Sequence, residues 1–333
     1  MKYAFLVGFL VGAFFTYAQI TEVKKASCVR SAKAGGSRYG EWECGKTPGV
    51  VDCNDKLVFD EDSKLVVSGN MGLPFSGTCE TCHQNGRMER KVSFDKGLQV
   101  GIDTTYYESG CPQVIQNHFQ GQENGQWVYY FDTTNVIAWE QNYAYGQKHG
   151  KQVWLTRDGD TSRFELYNNG LLNGTKRLFY SKSRIEKEIP YVNGLMDGVF
   201  KHYAITGVLL DEISYKQGKR NGEAKYFFDD GKLLRTEHWN MDVREGEFKT
   251  FYYQGFVQTL EVYKKGVPEG WWEERYPDDK VKRKALYKKG VVIEEFKYDA
   301  NGNETEHIGG TKSSGKYDEE GPQSNDGKGK KGK

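Results

Sequence analysis

A chain of 333 residues is long enough for two ordinary domains or one extended array. Its 47 Lys and Arg nearly cancel 46 Asp and Glu, which removes the electrostatic case for nucleic acid as a partner, because phosphate binding needs clustered positive charge. Its 40 Gly, 22 Tyr, 18 Phe and 7 Trp, against 7 Pro, predict an all-β chain of many short strands joined by tight turns.

At the start, Lys2 precedes an almost unbroken apolar run from Tyr3 to Phe15, then Thr16-Tyr17-Ala18 and Gln19. This reads as a secretory signal over residues 1–18, cut after Ala18. The run is short of the roughly 20 apolar residues an uncleaved anchor needs. Cys28 lies beyond Lys24-Lys25, which argues against lipid attachment there. The mature chain is therefore expected to be exported, without a transmembrane segment, to the periplasm, the outer membrane or the cell surface. An oxidising compartment favours disulfides among an even number of cysteines. The candidates are Cys28, Cys44, Cys53, Cys79, Cys82 and Cys111, all in the first third.

Residues 19–52 form an expected Cys-containing cap. Residues 53–76 carry a faded repeat unit, with Val58-Phe59 in the aromatic phase and Glu61-Asp62-Ser63 suited to a turn. Terminal repeats are usually atypical because they face water on one side.

A repeat array is expected over 77–304. One glycine recurs at Gly77, Gly101, Gly125, Gly150, Gly174, Gly198, Gly222, Gly246 and Gly270, in steps of 24 with a single step of 25. A second series stands four residues earlier, at Gly97, Gly121, Gly146, Gly170, Gly194, Gly218, Gly266 and Gly290, with Asp242 as its one lapse. Aromatics keep the same phase. They include Tyr106, Tyr130, Tyr203 and Phe227 after the first glycine, and Tyr143, Tyr167, Trp239 and Tyr263 before the second. Between them lie Asn85-Gly86, Ser109-Gly110, Asp158-Gly159, Asp230-Gly231 and Gln254-Gly255, read as two-residue hairpin turns. Each unit then reads strand, tight turn, strand and a glycine-bracketed loop such as Gly218–Gly222. The extra residue of the unit from Gly125 is expected in Asp132-Thr133-Thr134-Asn135, where an insertion costs least. Tyr203 and Phe227 are expected to be buried in an aromatic stack. Phe296–Glu304 reads as a closing half-hairpin, and 305–333 as a polar, disordered tail.

The unit Tyr215–Leu233 (YKQGKRNGEAKYFFDDGKL) resembles the MORN repeat, in the variant grouped with YwqK-type antitoxin-like proteins. The resemblance covers about Gly77 to Gly290. It implies an elongated antiparallel β-meander of ~24-residue hairpin repeats that makes protein or membrane-surface contacts. A cytoplasmic antitoxin would have no need of the signal segment.

One motif carries chemistry. Cys79-Glu80-Thr81-Cys82-His83 matches C-x-x-C-H, the attachment signal for c-type haem. Against haem, the motif sits in register inside the first full unit, and His83 takes the phase of Tyr107 and Phe131. Cys79 and Cys82 are three apart on a strand and point to opposite faces, so each should reach a different partner. Cys111 and one of Cys28, Cys44 or Cys53 are the candidates. His118, His149, His202, His238 and His307 are scattered without metal-ligand spacing or a nucleophile–base signature. No catalytic residue, cofactor or metal is expected. The leading reading is an exported binding scaffold for a protein or cell-envelope component. The alternatives are a c-type haem electron carrier and an immunity-like binding protein.

Overall fold

The computed structural model describes residues 44, 45, 48–134, 136–181 and 183–309. The expected signal at 1–18, Cys28, most of the cap and residues 310–333 lie outside the described residues. The described residues are nearly all-β, and the chain divides into two compact units, one running to Gly222 with Asp229–Gly231, the other comprising Glu223–Phe228 and Lys232 onward. Each unit is a meander of successive antiparallel hairpins. The one described helix, against an expectation of none, is the single turn Cys53–Lys56. Its cap explains it: Asp52 Oδ1 accepts from the backbone N–H of Asn54 (2.8 Å) and Asp55 (3.2 Å).

The unit beginning at Gly150 shows the repeat. Gly150–Leu155 runs out and Thr161–Asn168 runs back, paired Gly150 to Tyr167 through Trp154 to Arg163. The far loop differs from the expected two-residue turn. Gly159 N–H donates to Thr156 O at 3.0 Å and Thr156 N–H to Asp160 O at 2.8 Å, so three residues make the loop. Only its glycine has positive φ, at 85°, whereas a two-residue type I′ turn requires positive φ at both central residues. The type I′ geometry lies at the other end of the hairpin. Asn169 (φ 48°) and Gly170 (φ 79°) join Asn168 to Leu171, which pair. The lapse in the glycine series obeys the same geometry, with Met241 at 51° and Asp242 at 67°. An aspartate tolerates the left-handed region better than most side chains.

The expected glycine-bracketed loop is also strand. After each type I′ turn two residues pair back, such as Leu171–Leu172, and the ladder then slips at the boundary glycine. His118 faces Glu123 and Ile115 faces Val128, so three steps on one strand meet five on the other. This bulge requires glycine twice over at Gly174, which has φ 123° and whose missing Cβ would sit 2.9 Å from Leu166. The extra residue of the Gly125 unit falls in its far loop, as expected: Phe131 N–H donates to Val136 O, five residues on, where the sister loops span four.

Among the described residues the units show no second layer, and burial comes from neighbours within the sheet, on both faces at Trp127-Val128 and Gln152-Val153. In the second unit ring contacts run from Trp239 to Phe248 (5.3 Å), Tyr263 (5.1 Å), Trp272 (5.2 Å) and Tyr287 (4.3 Å). These are the residues two after the boundary glycine and the aromatics before the turn. Tyr203 and Phe227, expected in the buried stack, are only half-buried. The buried aromatics among the described residues are Tyr106, Trp127, Trp239, Phe248 and Tyr263.

The two ends differ. Val51–Asp52 pairs in parallel with Cys79–Glu80 along the outer side of the first array strand, Gly77–Cys82. The faded unit forms its own two-stranded hairpin, Leu57–Asp60 with Leu65–Ser68, docked through Val66 N–H to Gly97 O. At the far end the chain remains strand through Gly309, five residues past the expected boundary at 304. Strand Glu304–Gly309 pairs with Val291–Tyr298, and His307 stacks on Phe296 at 4.1 Å. A polar composition does not prevent a strand whose neighbour supplies the pairing.

Phe248→Ala should cost about 3–5 kcal/mol, as for a well-buried aromatic, while replacing the exposed Lys219 should cost under about 0.5 kcal/mol. Urea unfolding of both variants checks this, and equal losses would place the buried face elsewhere.

Candidate functional site

The C-x-x-C-H motif lies on the first array strand, and its cysteines do reach different partners. Cys79 bonds to Cys53 and Cys82 to Cys44, with Cα separations of 5.1 and 5.6 Å. Both partners come from the segment preceding the array, and neither is Cys111. Cys111 is itself disulfide-bonded, to a partner outside the described residues. Cys79 is buried at 1% exposure. Neither motif cysteine keeps a thiol with which to form a thioether, so the haem reading has nothing to attach to.

His83 is equally committed. Its Nε2 lies 2.9 Å from Tyr106 O, which can only accept, so Nε2 carries the proton. The same bond recurs where the repeat has tyrosine. Tyr107 donates to Tyr130 O (2.8 Å), Tyr180 to Tyr203 O (2.9 Å), Tyr252 to Arg275 O (2.7 Å) and Tyr276 to Tyr298 O (3.1 Å). The histidine thus substitutes for the repeat tyrosine, tying one unit to the next. His83→Tyr should preserve stability to within about 0.5 kcal/mol, whereas His83→Ala should lose about 0.5–1.5 kcal/mol with the hydrogen bond. Equal losses in thermal or urea melts would detach His83 from this role.

Several acidic residues are buried: Glu80, Asp103, Glu165 and Glu237. Asp103 receives Arg90 through Nε (3.1 Å) and Nη2 (2.6 Å), and Gln99 Nε2 at 2.9 Å. Glu165 is met by Lys176 (3.0 Å) and the Tyr167 hydroxyl (3.1 Å). Glu237 accepts from Trp239 Nε1 (2.9 Å) and the Tyr226 hydroxyl (3.2 Å), with Arg235 at 3.0 Å. Burial, with the Glu165 charge adding to it, pushes the Tyr167 phenol up to about 12. Tyr143 is pushed to about 12 by burial and then by Glu123. Such phenols stay protonated and act as hydrogen-bond donors. Asp103, Glu165 and Glu237 are satisfied by cations, an amide and ring donors. No group of His, Cys, Asp and Glu among the described residues is arranged to hold a metal. The available sequence signal was Glu-x-aromatic, at Glu165-Leu-Tyr167, Glu237-His-Trp239 and Glu261-Val-Tyr263.

His118 borders the Asp103 cluster. Gln99 Nε2 donates to Asp103 and lies 3.1 Å from His118 Nδ1, making that nitrogen an acceptor. Burial draws the imidazole below its ordinary value; Asp103 opposes the shift and Arg90 adds to it. With the folded value depressed, the unfolded chain takes up the proton first as pH falls. His118 therefore removes stability from about pH 6.5 downward until its folded value is passed. In urea titrations between about pH 7.5 and 4.5, His118→Gln should flatten this part of the profile; an unchanged slope would remove His118 as its source.

The exposed surface is patterned. Along the type I′ turn edge, Leu171 and Leu195 in the first unit, and Val243, Val267 and Val291 in the second, are 42–64% exposed. The first four each lie against the glycine of the following turn or, for Val243 and Val267, that of the next turn in their own unit: Gly194, Gly218, Gly266 and Gly290. Elsewhere cations cover rings: Arg163 stands 3.5 Å over Trp154, Arg235 4.0 Å over Tyr226 and Lys232 3.6 Å over Tyr253.

Residues 220–241 match the family described as MORN repeat variant. The 24-residue phase and the hairpin geometry make this match one unit of the array. No curated protein matches the chain. Among solved structures, similarity extends to a chain in "Crystal Structure of TcdB2-TccC3", at 10% identity, 68% coverage of this chain and a TM-score of 0.17. Another is in "Crystal Structure of TcdB2-TccC3-Cdc42", at 9% identity, 68% coverage and a TM-score of 0.14. The present chain spans 17% and 16% of those chains.

Proposed function

We propose that this MORN-repeat chain is an exported, non-enzymatic scaffold of the cell envelope that binds a protein partner through its repeat surface. The observation that carries the reading is the row of exposed apolar side chains Val243, Val267 and Val291 at successive type I′ turns of the second unit. These positions contribute little to the fold's own packing, yet recur in step with the repeat, so an incoming surface meets them at regular spacing. Export is supported by the apolar leader and by the disulfides that tie Cys44 and Cys53 to the first array strand, bonds that persist outside the cytoplasm. The buried carboxylates and high-pKa phenols support a structural use of the polar groups.

Crosslinking of the tagged protein in intact native cells, followed by fractionation, tests the proposal. The expected result is a defined partner in an extracytoplasmic fraction, lost when Val243, Val267 and Val291 are replaced together by Ser in a variant that keeps its melting temperature. Retention of the chain in the cytoplasm, or capture unaffected by the triple replacement, would overturn it.

A further inference from the structure

The second unit ends in strand Glu304–Gly309, which pairs on one side with Val291–Tyr298 and with no other strand among the described residues. All six of its residues are exposed. Roughly half of the N–H and C=O groups of such a strand point to the open side, a template for another extended chain. The first strand of the first unit, Gly77–Cys82, has its outer side covered by Val51–Asp52 and pinned by two disulfides. One edge is closed covalently, and the other is open among the described residues.

The neighbour already in place shows what this edge accepts. Phe296 faces His307 with rings 4.1 Å apart and 14° from parallel, extending a row that begins at Trp271, 6.2 Å from Phe296. On the other face Lys297 faces Glu306, Nζ to Oε2 2.7 Å. Ile308, beyond them, is 49% exposed. A second copy is a poor occupant in the registers that pair most of the strand. In a two-fold antiparallel pairing one residue must face its own copy, because opposed side chains share a sheet face. Centring on Glu306 opposes two glutamates, and centring on Thr305 opposes Glu304 to Glu306. Centring on His307 opposes two imidazoles and leaves Glu304 unpaired.

We propose that this edge docks an extended segment of a protein partner as an additional antiparallel strand. Read from its N-terminus, the segment carries an apolar residue opposite Ile308, an aromatic opposite His307 and a Lys or Arg opposite Glu306. The open side thus receives the same aromatic–basic order that Phe296-Lys297 supplies on the closed side. This rests on the binding-scaffold reading and names the chemistry of its partner.

The probe is a fluorescent, end-capped peptide, Thr-Thr-Val-Phe-Lys-Thr-Lys-Thr-Thr, titrated against the full chain by anisotropy. It should bind, and a version N-methylated at alternate backbone positions should not. Glu306→Lys should weaken binding about fivefold or more, since a favourable cross-strand pair becomes a like-charge pair. A peptide with Glu in place of both Lys should then prefer the Glu306→Lys chain to the wild type. A charge swap without exchange of preference, or no binding to the full chain, would overturn the proposal. Binding that appears only when the chain is ended at Gly309 would do so too, by giving the edge to residues 310–333. A partner crosslinked in cells that still binds the Glu306→Lys chain would overturn this edge alone, leaving the scaffold reading standing.

Discussion

Two successive residues with positive φ at every type I′ turn set the geometry on which the rest of the structure depends. At Asn193-Gly194 and Gln217-Gly218 the glycine N–H donates to a carbonyl of the preceding unit, Leu172 O (2.7 Å) and Met196 O (2.7 Å). In the second unit Gly266 and Gly290 donate likewise to Arg244 O (2.8 Å) and Pro268 O (2.9 Å). Each turn is thereby held above the one before it. The other strained residue is held as well: Lys265 N–H donates to Glu245 and Lys289 N–H to Glu269, both at 2.7 Å. Left-handed backbone at a lysine costs on the order of 1 kcal/mol, and this added hydrogen bond offsets it. The residue just before a boundary glycine is thus a cap for the next turn, which explains its run of Asn, Asp and Glu.

Stacking turns in this way leaves a sheet without a covering layer, and that limits how a core can be made. Side chains are buried mainly by those above, below and across the strand, and large rings such as Trp127, Trp239, Phe248 and Tyr263 fill several of the positions flanked on all sides. Rings alone leave gaps where a polar atom survives. Glu165 and Glu237 stand in them because Tyr, Trp, Lys and Arg neighbours supply their donors. Burying a carboxylate without such partners would cost several kcal/mol. The same rule places Arg90 and Gln99 around the buried Asp103.

An array stabilised by neighbours is weakest where a neighbour is missing. That is where the cysteines lie. The first array strand lacks a preceding repeat, and the chain compensates with the parallel Val51–Asp52 pairing, a separate hairpin and covalent links from Cys79 and Cys82. Within this end cap C-x-x-C-H is a coincidence of two structural needs: strand cysteines that reach backward, and a histidine that hydrogen-bonds forward in place of tyrosine.

The 24-residue glycine and aromatic series by itself determined the all-β class, the hairpin units and the loop that absorbs the extra residue, because each depends on local backbone geometry repeated in phase. The in-register position of Cys79 to His83 likewise pointed to a structural role, and their placement on one strand required separate partners. Sequence could not assign the two kinds of turn, since a glycine with φ near 80° serves equally in a type I′ pair and in a three-residue loop; only the hydrogen bonds closing Thr156 to Asp160 and Asn168 to Leu171 tell them apart. Nor did it place the burial of Asp103, whose donors Arg90 and Gln99 come together only through the strand pairing, or choose among Cys28, Cys44, Cys53 and Cys111 as partners. Those depend on which side of the first strand the preceding segment covers. The strand at Glu304–Gly309 was missed for the same reason, because its order comes from pairing with Val291–Tyr298 and not from its own polar residues.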